Sequence, residues 1–373
     1  MILSPPVLVH LVAGARPNFM KIAPLYKALS AEPEHFCPQI VHTGQHYDLN
    51  MSETFFREFQ LPKPDLYLGV GSGSHAQQTA KVMTAYEEIC LSRPPQLTVV
   101  VGDVNSTMAC AITAKKLNLP VAHLEAGLRS RDRTMPEEIN RVITDTIADI
   151  LWTPSPDADD NLRHEGIPDS RIRRVGNIMI DTLRMNEPVI QCRRKYLEFG
   201  LAPKGYGVLT LHRPSNVDRK EPLESIVHAV RTCSERLPIV FLIHPRTRNR
   251  LEEFGLWDDL ERCSNIHRAE PQGYVDFLSL VANSAFVVTD SGGIQEETTV
   301  LNIPCLTLRE NTERPITIQQ GTNELIRPDA LLECLSRILD GKWKQGTPPD
   351  LWDGEASERI VQHLKEIIAA SVS

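Results

Sequence analysis

Residues 97–125 read LTVVVGDVNSTMACAITAKKLNLPVAHLE, and this stretch decides the fold. Residues 97–101 form a continuous apolar run, 106–117 carry a helical pattern, and 121–124 form a second apolar run. Strands buried on both faces read as unbroken apolar runs, and a helix between two of them implies a parallel pair. The same alternation extends outward in both directions. Further strands are expected at 7–12, 39–42, 207–211, 239–243, 286–289 and 304–308. Helices are expected at 20–30, 137–148, 221–237 and 274–283. The fold class is therefore α/β, with parallel sheets and crossover helices.

At 373 residues the chain exceeds what one hydrophobic core commonly holds, so two domains are expected. The alternation loosens between 176 and 204 and restarts at Tyr206, which places a boundary near 177–183. The expected domains are 1–180 and 181–354, the last strand–helix unit ending near 341. A Gly/Pro/Trp-rich stretch at 341–354 then precedes a terminal amphipathic helix at 355–370. Two doubly wound domains facing one another would line a cleft with strand carboxyl ends, where such sheets bind ligands.

Composition removes several function classes. The formal charge is −8, so no global basic field draws nucleic acid or an anionic membrane, and neither is an expected partner. No stretch reaches the roughly 18–20 apolar residues of a membrane span. The start, MILSPPVLVHLVAG, lacks a basic leader and cleavage site and reads as a first buried strand. Eight cysteines are scattered without a CxxC pair, which implies reduced thiols and a cytoplasmic protein. No GxGxxG follows a strand, so no bound nicotinamide, and no cofactor at all, is expected. GxxxxGK[ST] and GxSxG are missing too. His42 and His46 stand four apart on a glycine-containing loop, not a helix, and no metal site is expected.

Polar residues fall where the strands end. Gly14, Arg16 and Asn18 follow the first strand and Lys21 opens the next helix. Such a loop can meet phosphate oxygens or be an ordinary turn with surface cations. Asp103 and Glu125 each follow an apolar strand, and Glu137 and Glu138 come after Pro136 at an expected helix start. Singly these acids read as caps and dipole partners. Together, Asp103, Glu125 and Glu137 suggest acid–base chemistry, because crowded carboxylates raise at least one pKa. In the second half, His212 and His244 end successive strands. Asp290-Ser291-Gly292-Gly293 opens a helix with bare amides suited to phosphate, and Glu297 lies one turn in, where it could take ribose hydroxyls.

The segments GARPNFMKIAP, HTGQHYD, VVGDVNST, HLEAGLRS, MPEEINR, VGN, LTLHR, DSGGIQEE and NTERP occur in this order between about residues 10 and 325. On these segments the chain resembles the non-hydrolysing UDP-N-acetylglucosamine 2-epimerases. The resemblance implies two Rossmann-like domains in the GT-B arrangement, with the C-terminal helix crossing back to the first, and a homodimer. It implies a UDP-sugar as substrate, reversible epimerisation at C2, and service to surface polysaccharide synthesis. Asp103, Glu125 and Glu137 would be the catalytic carboxylates, and Arg16 and Lys21 would contact the nucleotide sugar. Arg141 would bind the diphosphate, and His212 would stand at the leaving group. Ser291, Gly292 and Gly293 would cradle phosphates, and Glu297 would hold the ribose. Gln45 and His46 match a loop where a second substrate molecule acts as activator. The leading substrate is UDP-N-acetylglucosamine, converted to UDP-N-acetylmannosamine; two departures, Asn18 in place of a common Glu and Pro214-Ser215-Asn216 after His-Arg, keep a related UDP-2-acetamido sugar such as a 2,3-diacetamido uronic acid as the alternative. A GT-B glycosyltransferase is the rival reading of the same fold; a hydrolysing epimerase and a silent UDP-sugar sensor are two more.

Overall fold

In the computed structural model, which describes residues 5–44, 56 and 58–372, two parallel sheets carry the chain. The first sheet comprises β1 (Val7–Ala13), β2 (Phe36–His42), β3 (Leu66–Tyr67), β4 (Leu97–Val101), β5 (Val121–Leu124), β6 (Ile150–Thr153) and β7 (Ile172–Arg174). Their spatial order is β3-β2-β1-β4-β5-β6-β7. The second sheet comprises β8 (Gly207–Leu211), β9 (Ile239–Ile243), β10 (Ile266–Ala269), β11 (Phe286–Thr289), β12 (Cys305–Thr307) and β13 (Asn323–Leu325). Its order is β10-β9-β8-β11-β12-β13. Each sheet is doubly wound. Strand order reverses between β1 and β4 in one and between β8 and β11 in the other.

The central strands are nearly all apolar, and the polar side chains they do carry, such as Thr98 and His123, are buried with hydrogen-bond partners. All five residues of β4 are buried, as are all five of β9. Helices cover the sheets with their apolar stripes. The Lys220–Ser234 helix, for example, buries Leu223, Ile226, Val227 and Val230 against Leu209, Phe241 and Ile243. Register then fixes what lies at the strand ends. Val101 pairs with Leu124, and Thr289 pairs with Thr210, so the turns after these strands come level.

Residues 1–185 with 350–373 make one compact unit and residues 186–349 the other. The division falls inside the Ile178–Arg193 helix. That helix explains why 176–204 shows no strand pattern. It buries Ile178, Met179, Ile180 and Leu183 yet carries enough charge to mask its periodicity. The last helix, Ala356–Val372, belongs to the first unit. Asp181 anchors its start, accepting from the amides of Ala356 (3.0 Å) and Ser357 (2.7 Å). Trp352 Nε1 donates to Pro154 O at 2.9 Å just before it. Among the described residues no helix is long and apolar enough to cross a membrane.

Candidate functional site

In the first unit the candidate residues gather after β1, β4 and β5. The β1 turn is laid down by Asn18, whose Oδ1 accepts from the amides of Gly14 (3.2 Å) and Ala15 (2.9 Å). Its Nδ2 donates to Val101 O at 2.9 Å, tying this turn to the end of β4. A glutamate could make neither the donation nor so short a clasp, so Asn18 does local work here. Gly14 is needed because a Cβ there would lie 2.5 Å from Ser106 Oγ. Arg16 begins the Arg16–Ser30 helix; its side chain lies outside the described residues, as do Gln45 and His46.

Lys21 and Glu125 form a buried ion pair, with side chains only 9% and 5% exposed. Their charged ends lie over Gly102, 3.2 Å (Lys21 Nζ) and 3.5 Å (Glu125 Oε2) from where its Cβ would be. Asp103 is not the helix cap the sequence allowed, since the residue before the Asn105–Lys116 helix is Val104. Its Oδ2 instead accepts from Arg141 Nη2 at 2.5 Å. Arg141 is buried and also donates through Nη1 to Glu138 Oε2 at 2.7 Å. Glu138 closes the cluster by accepting from the amides of Ser130 (2.9 Å) and Arg131 (2.8 Å). Burial opposes the charge on Glu138, but those amides and Arg141 outweigh it and hold its carboxyl below the usual range. Pro136 starts the Pro136–Ile147 helix, as expected, with Glu137 next. Glu137 is half-buried, and among the described residues it makes no ion pair. Two of the three acids thus have fixed cationic partners and one does not.

In the second unit the organiser is Asp290, quoted from the sequence but given no role there. It is fully buried at the end of β11. Its carboxylate accepts from the amides of His212 (3.0 Å) and Arg213 (2.8 Å), from Asn216 Nδ2 (3.2 Å) and from His212 Nδ1 (2.8 Å). Burial would raise its pKa, but His212 and the two amides prevail and hold it below the ordinary value. His212 is thereby oriented, with its side chain 43% exposed. Ser291 follows, its amide taken by Thr289 Oγ1 at 3.0 Å. A side chain at Gly293 would meet nothing within 4 Å, and its φ of −65° suits any residue. Neither crowding nor strain within the fold asks for glycine there; a bare chain start does. Gly292 faces an ion cluster in which Glu313 and Arg314 of the NTERP segment pair with Arg309 and Glu296. Glu297 is buried in the Ile294–Val300 helix.

His244 ends β9 and caps the next helix, its Nδ1 accepting from the Arg246 amide at 3.2 Å. His42 is buried with its pKa lowered to about 4 by desolvation, and its Nδ1 accepts from Gly44 N. Glu32, Glu34 and His35 bring possible metal-ligand atoms within 4.8 Å of one another, but they precede β2, at the opposite edge of the sheet from the candidate residues.

With this geometry in view, the chain compares with known proteins as follows. A family model described as UDP-N-acetylglucosamine 2-epimerase matches residues 27–365. A UDP-N-acetylglucosamine 2-epimerase of Methanocaldococcus jannaschii is 42% identical over 361 residues, covering 95% of this chain and 98% of that one. A UDP-2,3-diacetamido-2,3-dideoxy-D-glucuronate 2-epimerase of Pseudomonas aeruginosa is 39% identical over 362 residues, covering 95% and 99%. The crystal structure of the M. jannaschii UDP-GlcNAc 2-epimerase in complex with UDP-GlcNAc and UDP superposes with a TM-score of 0.86 at 41% identity, covering 96% and 99%.

Proposed function

We propose that this chain, which belongs to the UDP-N-acetylglucosamine 2-epimerase family, interconverts UDP-N-acetylglucosamine and UDP-N-acetylmannosamine. The observation that carries the reading is the placing of Asp103 and Glu125 on level turns of adjacent strands, each held by a buried cation. A silent sugar sensor has no use for such an arrangement, and a glycosyltransferase needs one base and an acceptor groove.

The C2 hydrogen of the sugar has no neighbouring carbonyl, so its removal is coupled to loss of UDP. The C2–H electrons become the second bond between C1 and C2, the C1–O bond breaks, and its electron pair leaves on the diphosphate. The intermediate is 2-acetamidoglucal. Return of the UDP oxygen to C1, with a proton delivered to the other face of C2, gives the epimer. Asp103, Glu125 and Glu137 serve as base and acid. Lys21 pairs with Glu125 and aims its carboxylate. Arg141 contributes positive charge toward the diphosphate and at the same time anchors Asp103. Arg16 and His212 meet the departing diphosphate, Ser291, Gly292 and Gly293 hold phosphate oxygens, and Glu297 takes the ribose hydroxyls.

The test is turnover of UDP-N-acetylglucosamine in D₂O without added nicotinamide. Deuterium at C2 of the UDP-N-acetylmannosamine formed is the expected result; product free of deuterium at C2 would rule the elimination out. A second reading has an observation of its own, because the P. aeruginosa relative acts on a diacetamido uronic acid at nearly the same identity. Side-by-side kcat/KM for the two UDP-sugars decides between them.

A further inference from the structure

We propose that the buried pair His123–Asp145 is the positioning device for the two turns that present Asp103 and Glu125, an inference that rests on the epimerase reading above. His123 lies within β5 and is fully buried. Its Nε2 meets Gly102 O at 2.9 Å and its Nδ1 meets Asp145 Oδ1 at 2.6 Å. A carbonyl and a carboxylate both accept, so the ring donates from both nitrogens. Asp145 stays ionised for this: burial alone would raise it, but His123 and Arg129 beside it hold it below the ordinary value. The second oxygen of Asp145 accepts from the Gly127 amide at 3.1 Å and from Arg129 Nη1 at 2.7 Å. One carboxylate on the Pro136–Ile147 helix therefore reaches the turn after β4 through His123 and the turn after β5 directly.

Those turns need holding. Gly102, Glu125 and Gly127 have φ of 68°, 75° and 81°, the left-handed region that a residue with a Cβ enters only under constraint. Glu125 is such a residue. The amides of Glu125 and Ala126 share Trp152 O, at 3.1 and 3.0 Å, which fixes one side of the turn. Asp145 fixes the other through Gly127, where even a methyl group would lie 2.4 Å from Ala158 O. The left-handed Glu125 is what swings its carboxylate over Gly102 toward Lys21. Neither His123 nor Asp145 touches a reacting atom. Their effect is on where two carboxylates stand, and proton transfer is sensitive to displacements well under 1 Å.

Three variants test this. His123→Gln places an amide near Nε2 and can keep the bond to Gly102; His123→Asn places one near Nδ1 and can keep only Asp145. Asp145→Ala removes both contacts and releases both turns. Melting temperature, UDP affinity by calorimetry, and kcat and KM are measured for each. His123→Asn is expected to lose roughly 10–100-fold in kcat with KM and UDP affinity little changed, and His123→Gln to recover most of that loss. Equal losses in Gln and Asn that follow the melting temperature would overturn the proposal, as would wild-type kcat in both. A readout independent of turnover is hydrogen exchange of peptides spanning 98–107 and 123–130. Both should open selectively in Asp145→Ala, and in His123→Asn the first alone; uniform opening across the unit refutes the pair's role. A chain that epimerises no UDP-sugar sinks the function reading but leaves this exchange pattern to decide the positioning claim.

Discussion

The two sheets put their candidate residues at the same topological point, the carboxyl ends flanking the reversal of strand order, and furnish it differently. After β1, β4 and β5 stand full charges with dedicated partners, Lys21 with Glu125 and Arg141 with Asp103, most of them buried. After β8 and β11 the buried Asp290 is spent on backbone amides and on His212, while glycines leave the next turn bare. Doubly wound sheets bind ligands at this reversal whatever their chemistry. Under the proposed function the contrast divides the labour between the two reversals. Fixed carboxylates suit proton transfer, where position and charge decide rate. Exposed amides and a half-exposed imidazole suit a diphosphate, which asks for donors and tolerance.

The largest test of that division is at the carboxylates. Glu125→Gln, Asp103→Asn and Glu137→Gln should each lower kcat by roughly 10²–10⁴ while UDP affinity by calorimetry stays near wild type. Wild-type turnover in all three would reduce the first site to caps and ion pairs. Glu137→Gln sharpens the point further. Glu137 has no ion pair among the described residues, so its loss should cost little in melting temperature, whereas Glu125→Gln leaves Lys21 buried without its counter-charge and should melt earlier.

Next in size is the nucleotide half. His212→Ala should weaken UDP binding by roughly tenfold and reduce turnover as well, because diphosphate contacts act in ground and transition states alike. Asp290→Ala should do the same indirectly, by releasing the two amides and the imidazole it orients. Unchanged UDP affinity in both variants would move the nucleotide site elsewhere.

The buried acids also set an acid limit on stability. Asp145, Asp290 and Glu138 are all held below their ordinary values. A depressed carboxyl stabilises the fold above its unfolded-state pKa, near 4, and that stabilisation is lost as pH falls through the lower folded value. Melting temperature should therefore decline from about pH 6.5, where the unfolded chain protonates imidazoles that burial keeps neutral in the fold, as at His10 and His42, and fall more steeply below about 4 as the carboxyls titrate. The deficit of Asp290→Asn relative to wild type should shrink across that same fall; a constant deficit would mean the residue is not the titrating group.

How much of this was legible follows from how far apart the cooperating residues lie. Strands β4, β5, β8, β9 and β11 announce themselves because burial on both faces makes them read as near-continuous apolar runs. β3, β7 and β13 do not: Leu-Tyr, Ile-Arg-Arg and Asn-Glu-Leu are outer strands whose pairing comes from their neighbours. Asp103 and Glu125 stood out as acids directly after apolar runs. Asp290 and His123 sat inside quoted segments without a role, since what they do depends on partners 78 and 22 residues away. Asn18 looked like a departure in the ligand loop, and the structure gives it a clasp between β1 and β4. The helix at Ile178–Arg193 was hidden by its own charges.

The smallest expected effect is at His244, and its smallness is the point. His244 belongs to the second sheet and ends β9, one strand outside the reversal between β8 and β11. Its ring lies 6.1 Å from that of His212, close enough that proximity alone would make it a partner in the nucleotide site. Its bonding says otherwise. Nδ1 accepts from the Arg246 amide, which is the task of a helix cap, and burial together with the neighbouring His212 lowers its pKa and favours the neutral ring that can accept. His244→Ala should therefore cost about 1 kcal/mol of stability, the usual worth of a cap, and change UDP affinity less than twofold. His244→Asn, which can cap as well as histidine, should restore the melting temperature. If instead His244→Ala weakens UDP as much as His212→Ala does, the site extends past the reversal to β9, and the tidy contrast between the two sheets gives way to a broader diphosphate cradle.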